Sequence, residues 1–276
     1  MKYCVPYFKG FQYINEVDEI EIIFHDNDLT FIERLINKEF NNRIIIRVED
    51  IQLFQENSRL ALFQQLKLVH EVDFKLKFEN YNPEYDELFQ EIKDSNIPFF
   101  FDIKAGGLDV FYGLMELGVS DIYIVNELGF SLGKLGPIAH AAGISIRVFA
   151  NFAQDSWGIN PGIKSFFIRP EDIQYYESYV DVVEFMGELS SEFEVYYKIY
   201  GIQNKWEGNL DDLIIGLNTA EPVDNKTMVP EILPKTRLTC QKGCLVGKKC
   251  SLCELYLDVS KTLSEKALYF DYVLKS

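Results

Sequence analysis

The chain has 276 residues, 47% of them apolar, and its 43 Asp and Glu against 27 Lys and Arg give a formal charge of −16. That apolar fraction can fill a large core and excludes disorder, while 17 Gly and 9 Pro exclude a collagen-like or mucin-like chain. An acidic surface repels phosphate backbones, so non-specific nucleic-acid binding is not expected.

In chain order, short β-branched and aromatic runs alternate with stretches of helical period. The runs are EIEIIF (19–24), RIIIRV (43–48), DFKLKF (73–78), PFFFDI (98–103), DIYIVN (121–126), ISIRVF (144–149), SFFIR (165–169) and DVVEF (181–185). Several are almost continuously apolar, as strands covered on both faces should be. Between them, LTFIERLINKEF places Phe31, Leu35 and Ile36 on one helical face. NPEYDELFQEIKDS opens with Asn82 as N-cap and Pro83 at the first helical position. GLDVFYGLMELGV carries the stripe Val110, Leu114, Leu117 and stops at Gly118, and LGKLGPIAHAAG stops at Gly143. PEDIQYYESYV begins with Pro170 and first-turn acids.

Eight such units predict a (β/α)8 TIM-type barrel over residues 1–187. The open doubly wound sheet is the alternative, but neither GxGxxG nor GxxxxGK[ST] occurs. Residues 188–276 read as an irregular, Cys-rich C-terminal extension. Within it EVYYKIY (194–200) has strand character, NLDDLIIGLN is a strand or short helix, and SKTLSEKALYFDYVL is a closing helix. No apolar run approaches the roughly 18 residues of a membrane helix. The opening MKYCVPYFKGFQY lacks a continuous apolar stretch, so a cytoplasmic protein is expected. Abundant Phe, Tyr, Ile, Asn and Lys also fit an A/T-rich bacterial or phage genome.

A barrel of this kind keeps its site at the C-terminal ends of the strands. The polar residues expected there include Asp102, Lys104, Glu127 and Asn151 as catalytic candidates, and Arg147 and Arg169 as clamps for an anionic group. Solvated loops and helix caps supply polar residues to any barrel mouth, so these choices compete with purely structural roles. Three histidines and no GxSxG or HExxH motif leave little basis for a nucleophilic triad or a His-ligated hydrolytic metal.

The most specific pattern is Cys240-x3-Cys244-x5-Cys250-x2-Cys253. Four thiolates in one short loop can surround a tetrahedral ion, with Gly243 and Gly247 permitting tight reversals and Lys242, Lys248 and Lys249 offsetting the charge. Zn2+ is the first choice and a [4Fe–4S] cluster the alternative, since both take four thiolates.

The run GVSDIYIVNELGFSLGKLGPIAHAAGISIRVFAN resembles the core of the peptidase U32 family through Gly118, Glu127, Leu128, Gly143, Ile144, Val148 and Phe149. The following FFIRPEDIQYYESYVDVVEFMG is similar to the family's next unit through Pro170, Asp172, Asp181 and Gly187. The resemblance spans about residues 113–187. It implies a barrel, and its members suggest proteolysis or cluster-dependent hydroxylation of RNA bases or quinone precursors. Asn151 stands where the family carries His, FAQDSWGINPG replaces a Cys-bearing segment, and EFMG replaces a basic KIEGR-type end.

Two functions follow. One is a barrel enzyme acting on a small anionic molecule or a modified base, with a four-cysteine metal centre. The other is a non-catalytic barrel, of phage origin in one version, that serves as an interaction or assembly module with a zinc knuckle.

Overall fold

The computed structural model describes residues 1–24, 29–37, 39–56, 59–105, 107–125, 129, 131–153, 166–217, 224–227 and 238. Its strands are β1 (Lys2–Pro6), β2 (Glu19–Phe24), β3 (Arg43–Val48), β4 (Phe74–Phe78), β5 (Phe99–Phe101), β6 (Lys104–Ala105), β7 (Asp121–Ile124), β8 (Ser145–Phe149) and β9 (Val182–Glu184). All neighbours run parallel, in the order β5-β4-β3-β2-β1-β9-β8-β7-β6.

The two outermost strands of that order belong to one extended segment, 99–105. Its first half pairs with β4 (Leu76 with Phe99, Phe78 with Phe101) and its second half with β7 (Lys104 with Tyr123, Ala105 with Ile124). The Ser120 N–H also donates to the Phe99 carbonyl at 2.7 Å. The sheet therefore closes on itself, and the molecule is a (β/α)8 TIM-type barrel with eight strand positions.

Parallel strands need a crossover between them, and here helices supply it outside the barrel. The strands' outward side chains meet the apolar stripes of those helices. Leu35 comes from Leu29–Ile36, Phe63 and Leu66 from Arg59–His70, Leu88 and Ile92 from Asp86–Asp94, and Phe111 and Leu114 from Leu108–Leu117, all buried. Phenylalanines knit this layer: Phe54 stacks on Phe63 at 5.7 Å, and Phe89 meets Phe101 edge-on at 5.0 Å. Each such buried ring contributes about 1.5–3 kcal/mol relative to exposure. Asn82 caps as expected, accepting the Glu84 N–H at 3.0 Å, and Gly118 and Gly143 both take left-handed φ of 74°.

Three elements differ from the sequence expectation. KYCVP at the N-terminus is a full strand between β2 and β9. Residues 166–168 of the expected strand 165–169 join no ladder, and β8 pairs directly with β9. Phe166, Phe167 and Ile168 are buried nonetheless, and Ile168 N–H donates to Ala150 O at 3.0 Å. EVYYKIY is helical, within Ser190–Tyr197 and a widened π turn Lys198–Gln203. In the helix Leu108–Leu117 the buried face runs through Phe111 and Leu114, leaving Val110 exposed.

Residues 190–217 pack into the barrel's own core, beyond the expected boundary at 187. Phe193, Tyr197, Ile199, Tyr200, Leu210, Leu213, Ile214 and Leu217 are all buried there. Tyr3 Oη donates to Tyr200 O at 3.0 Å, and Tyr200 Oη donates to Ile168 O at 2.8 Å. Among the described residues no helix is long and apolar enough to cross a membrane.

Candidate functional site

Side chains of a strand alternate between its faces, so residues two apart share one face. Glu19 and Glu21 of β2, Arg43 and Arg47 of β3, Lys75 and Lys77 of β4, Asp121 and Tyr123 of β7, Arg147 of β8 and Glu184 of β9 stand in this way on the inner face. Some partners lie on adjacent strands, as Arg147 with Asp121 and Glu184, and others reach across the lumen, as Arg147 with Glu19 and Lys75 with Asp121. A barrel interior is normally filled by branched aliphatic side chains. This one is filled by charge.

The half nearer the N-terminal strand ends centres on Arg147, which is fully buried. Its Nε donates to Asp121 Oδ1 at 2.9 Å and its Nη1 to Glu184 Oε1 at 2.5 Å, and Nη2 donates to Glu19. Lys75 Nζ donates to both oxygens of Asp121 at 2.8 Å. Burial pushes the Asp121 carboxyl up, but Arg147 and then Lys75 more than offset this and hold it below its ordinary value. Cys4, also inside, has its thiol pushed well up by burial and then by Glu184, so it is a neutral thiol and a poor nucleophile.

The half nearer the mouth is a chain of charges. Lys77 Nζ donates to Glu21 Oε2 at 2.6 Å and lies 3.8 Å from Asp102 Oδ1 and 5.2 Å from the Tyr123 ring centre. Burial pulls Lys77 toward its neutral form, yet Glu184, Glu21 and Asp102 outweigh burial and raise its pKa. Tyr123 Oη donates to Glu184 at 2.8 Å and 2.9 Å to its two oxygens, and burial raises its own pKa well above the usual phenol range. Arg47 Nη1 lies 3.6 Å from Glu21 Oε1.

Three groups in this half are incompletely satisfied. Asp102 Oδ1 and Arg47 Nε are buried atoms without a hydrogen-bond partner. Lys104 Nζ lies 5.4 Å from the Phe149 ring centre and makes no ion pair among the described residues. Buried polar atoms are ordinarily paired, so these mark where an added group would be accepted. Beside them, a cleft of about 580 Å³ opens between the ends of β1, β2 and β3 and the helix Leu29–Ile36. It is lined by Pro6, Tyr7, Phe8, Glu21, Ile22, Ile23, Thr30, Arg34, Phe40 and Arg47.

Of the expected site residues, Asp102 and Lys104 stand two apart at the mouth, with Lys77 beside Asp102. Arg147 is not at the rim: it sits in mid-strand, and its guanidinium is fully used by three carboxylates. Arg169 is likewise buried and spoken for, giving Nε and Nη2 to Asp172 at 2.6 and 2.8 Å and Nη1 to Asn225 at 3.3 Å. Asp172 is therefore the partner of Arg169 as well as a first-turn acid. Asn151 donates Nδ2 to Met186 O and accepts Met186 N–H on Oδ1, both at 2.8 Å, which staples the end of β8 to the chain after β9. Arg147, Arg169 and Asn151 thus each have side-chain polar atoms bonded within the protein. Glu127, and Cys240, Cys244, Cys250 and Cys253, lie outside the described residues. Among the described residues no group of three or more His, Cys, Asp or Glu is arranged to hold a metal ion.

The sequence expectation missed Glu19, Glu21, Arg47, Lys75, Lys77 and Asp121. The signal was present as period-two charge inside apolar strands: E-I-E in β2, K-L-K in β4, R-x-x-x-R in β3. With helices outside, the only place for a strand's charged face is the lumen.

No family model and no curated protein matches the chain. Among solved structures, a tryptophan synthase from M. tuberculosis is 10% identical with a TM-score of 0.44, covering 69% of this chain and 84% of that one. A coenzyme F420-dependent tetrahydromethanopterin reductase from Methanopyrus kandleri is 9% identical with a TM-score of 0.36, covering 79% and 83%. The fold assignment stands on the strand order and closure described above.

Proposed function

We propose that the protein is a barrel enzyme acting on a small anionic molecule at its C-terminal mouth. The observation that carries this is the unfinished pairing there: Asp102 Oδ1 without a donor, and Lys104 without a carboxylate among the described residues. In this reading Lys104 receives the anionic group, Asp102 moves a proton, and Lys77, 3.8 Å from Asp102 Oδ1, positions it. Beneath them, Arg147 and Lys75 tie Asp121, Glu184 and Glu19 together and hold the frame.

The same reading includes a metal centre on Cys240, Cys244, Cys250 and Cys253, as Zn2+ or as a [4Fe–4S] cluster, supported by the donor set alone. The U32 resemblance supports the cluster and an RNA-base or similar modified-base substrate. Asn151 in place of His leaves proteolysis without a base at that position.

A second reading, a non-catalytic assembly module, is favoured by the internal use of Arg147, Arg169 and Asn151. A thermal-shift screen with acetate, citrate, phosphate and nucleoside monophosphates at constant ionic strength separates the two. The enzyme reading expects at least one anion to raise the melting temperature and Lys104→Met to abolish that rise. A flat screen, or an undiminished rise in Lys104→Met, favours the module.

A further inference from the structure

The cleft beside the mouth has two unlike walls. Pro6, Tyr7, Phe8, Ile22, Ile23 and Phe40 form an apolar one, in which the Tyr7 and Phe40 rings meet edge-to-face at 5.5 Å. The other is polar, with Arg47, Arg34, Thr30 and Glu21. Glu21 has already accepted Lys77 on Oε2, and its pair with Arg47 is long at 3.6 Å. Arg47 Nε has no partner at all, and Arg34 is turned to its neighbour Glu39 at 3.2 Å in a half-exposed position.

A guanidinium that lines an aromatic cleft and keeps one nitrogen unpaired has a specific chemistry. Its fork matches a planar carboxylate, and the rings beside it take a flat apolar body. The volume of about 580 Å³ is that of an ordinary small-molecule pocket. A bare inorganic anion would leave the apolar wall wet. A neutral aromatic would leave Arg47 Nε buried without a partner.

We infer that this cleft binds a small acid with a flat apolar body, its carboxylate on Arg47 and its body against Tyr7 and Phe40. This rests on the reading of the barrel mouth as a ligand site, and it names the class of molecule delivered there. Glu21 is shared: it lines the cleft and bonds Lys77, which adjoins Asp102. A carboxylate on Arg47 would therefore weaken the long Arg47–Glu21 pair and leave Glu21 to Lys77.

The test is calorimetric titration of the full chain with benzoate, acetate and benzyl alcohol, in the wild type and in Arg47→Met, Phe40→Leu and Lys104→Met. Benzoate should bind at least about tenfold more tightly than either acetate or benzyl alcohol. Arg47→Met should weaken benzoate by about tenfold or more, the scale of one lost charge-assisted hydrogen bond, and leave benzyl alcohol unchanged. Phe40→Leu, which keeps the charge, should weaken benzoate several-fold and leave acetate unchanged. Equal benzoate affinity in wild type and Arg47→Met would overturn the inference, as would benzyl alcohol binding as well as benzoate. Loss of benzoate in Lys104→Met with retention in Arg47→Met would overturn it too, while leaving the mouth as the ligand site. No heat with benzoate in any folded variant, alongside a positive anion screen, would remove the cleft and keep the mouth.

Discussion

At the scale of single residues, the charges in the lumen have unequal duties. Arg147 neutralises three buried carboxylates at once, so Arg147→Met should cost about 3–5 kcal/mol in urea unfolding, the range for leaving a buried ion without its partner. Asp102 is a quarter exposed and incompletely paired, so Asp102→Asn should shift the urea midpoint little while removing turnover of any substrate found. The pH profile follows from two shifts of opposite kind. Asp121 is held below its ordinary 3.8, so its contribution is present above that value and is lost as pH falls through the lower, folded-state value. Lys77 is raised above 10.5, so its contribution is complete below that value and is lost as pH rises through the higher, folded-state one. Melting temperature against pH should be flat between those limits and fall on both sides, and the acid limb should be shallower in Asp121→Asn. The position of Asp102 and Lys104 on the strand segment 99–105 was legible because each follows an apolar residue of that run. The three carboxylates around Arg147 were not legible, because a lone Arg in ISIRVF reads the same whether its partner is a ligand or acids on β2, β7 and β9.

At the scale of elements, seven of the eight strand positions were legible, since β-branched and aromatic runs of four to eight residues mark them. SFFIR misled because an apolar segment whose residues 166–168 are buried has a strand's composition without its ladder. KYCVP stands outside the eight runs, although Cys4 is expected in a first strand, and its Pro6 sits where proline is tolerated, at the strand's end. The bridge between Phe152 and Ile215 depends on Gly216, whose φ is +79° and whose absent Cβ would lie 2.6 Å from Ala153 O. Gly216→Ala should therefore cost at least about 1 kcal/mol, visible as a lower urea midpoint, with the Asn151 staple next door loosening first. For the cysteine loop, chemistry alone sets the expectation. Elemental analysis of anaerobically purified protein should give about one zinc per chain in colourless protein, or iron and sulfide in brown protein. Serine at Cys250 should abolish either.

At the scale of the molecule, the expected boundary at 187 followed from where the eight units end. The barrel's outer wall needs cover past that point too: Tyr3, on the outward face of β1, packs on Tyr197 and donates to Tyr200 O. Residues 190–217 bring eight buried side chains to that task, worth about 1.5–3 kcal/mol each before entropy, against a net domain stability of about 5–15 kcal/mol. A chain ending at residue 187 should then fail to give a cooperative thermal transition. Charge, too, is divided by place. The lumen's acids and bases nearly cancel, so the −16 of the chain does not arise in the lumen, whose own potential is left to a few open groups. The strand 99–105 has a further meaning. It is the zip of the cylinder: its first teeth engage β4, its last engage β7, and Asp102 and Ile103 lie at the changeover. A shift of backbone there alters the fit on both sides of the seam together. The carboxylate proposed to handle the proton thus rides on the segment that changes partner strands, its own N–H given to Phe78 O at 2.7 Å.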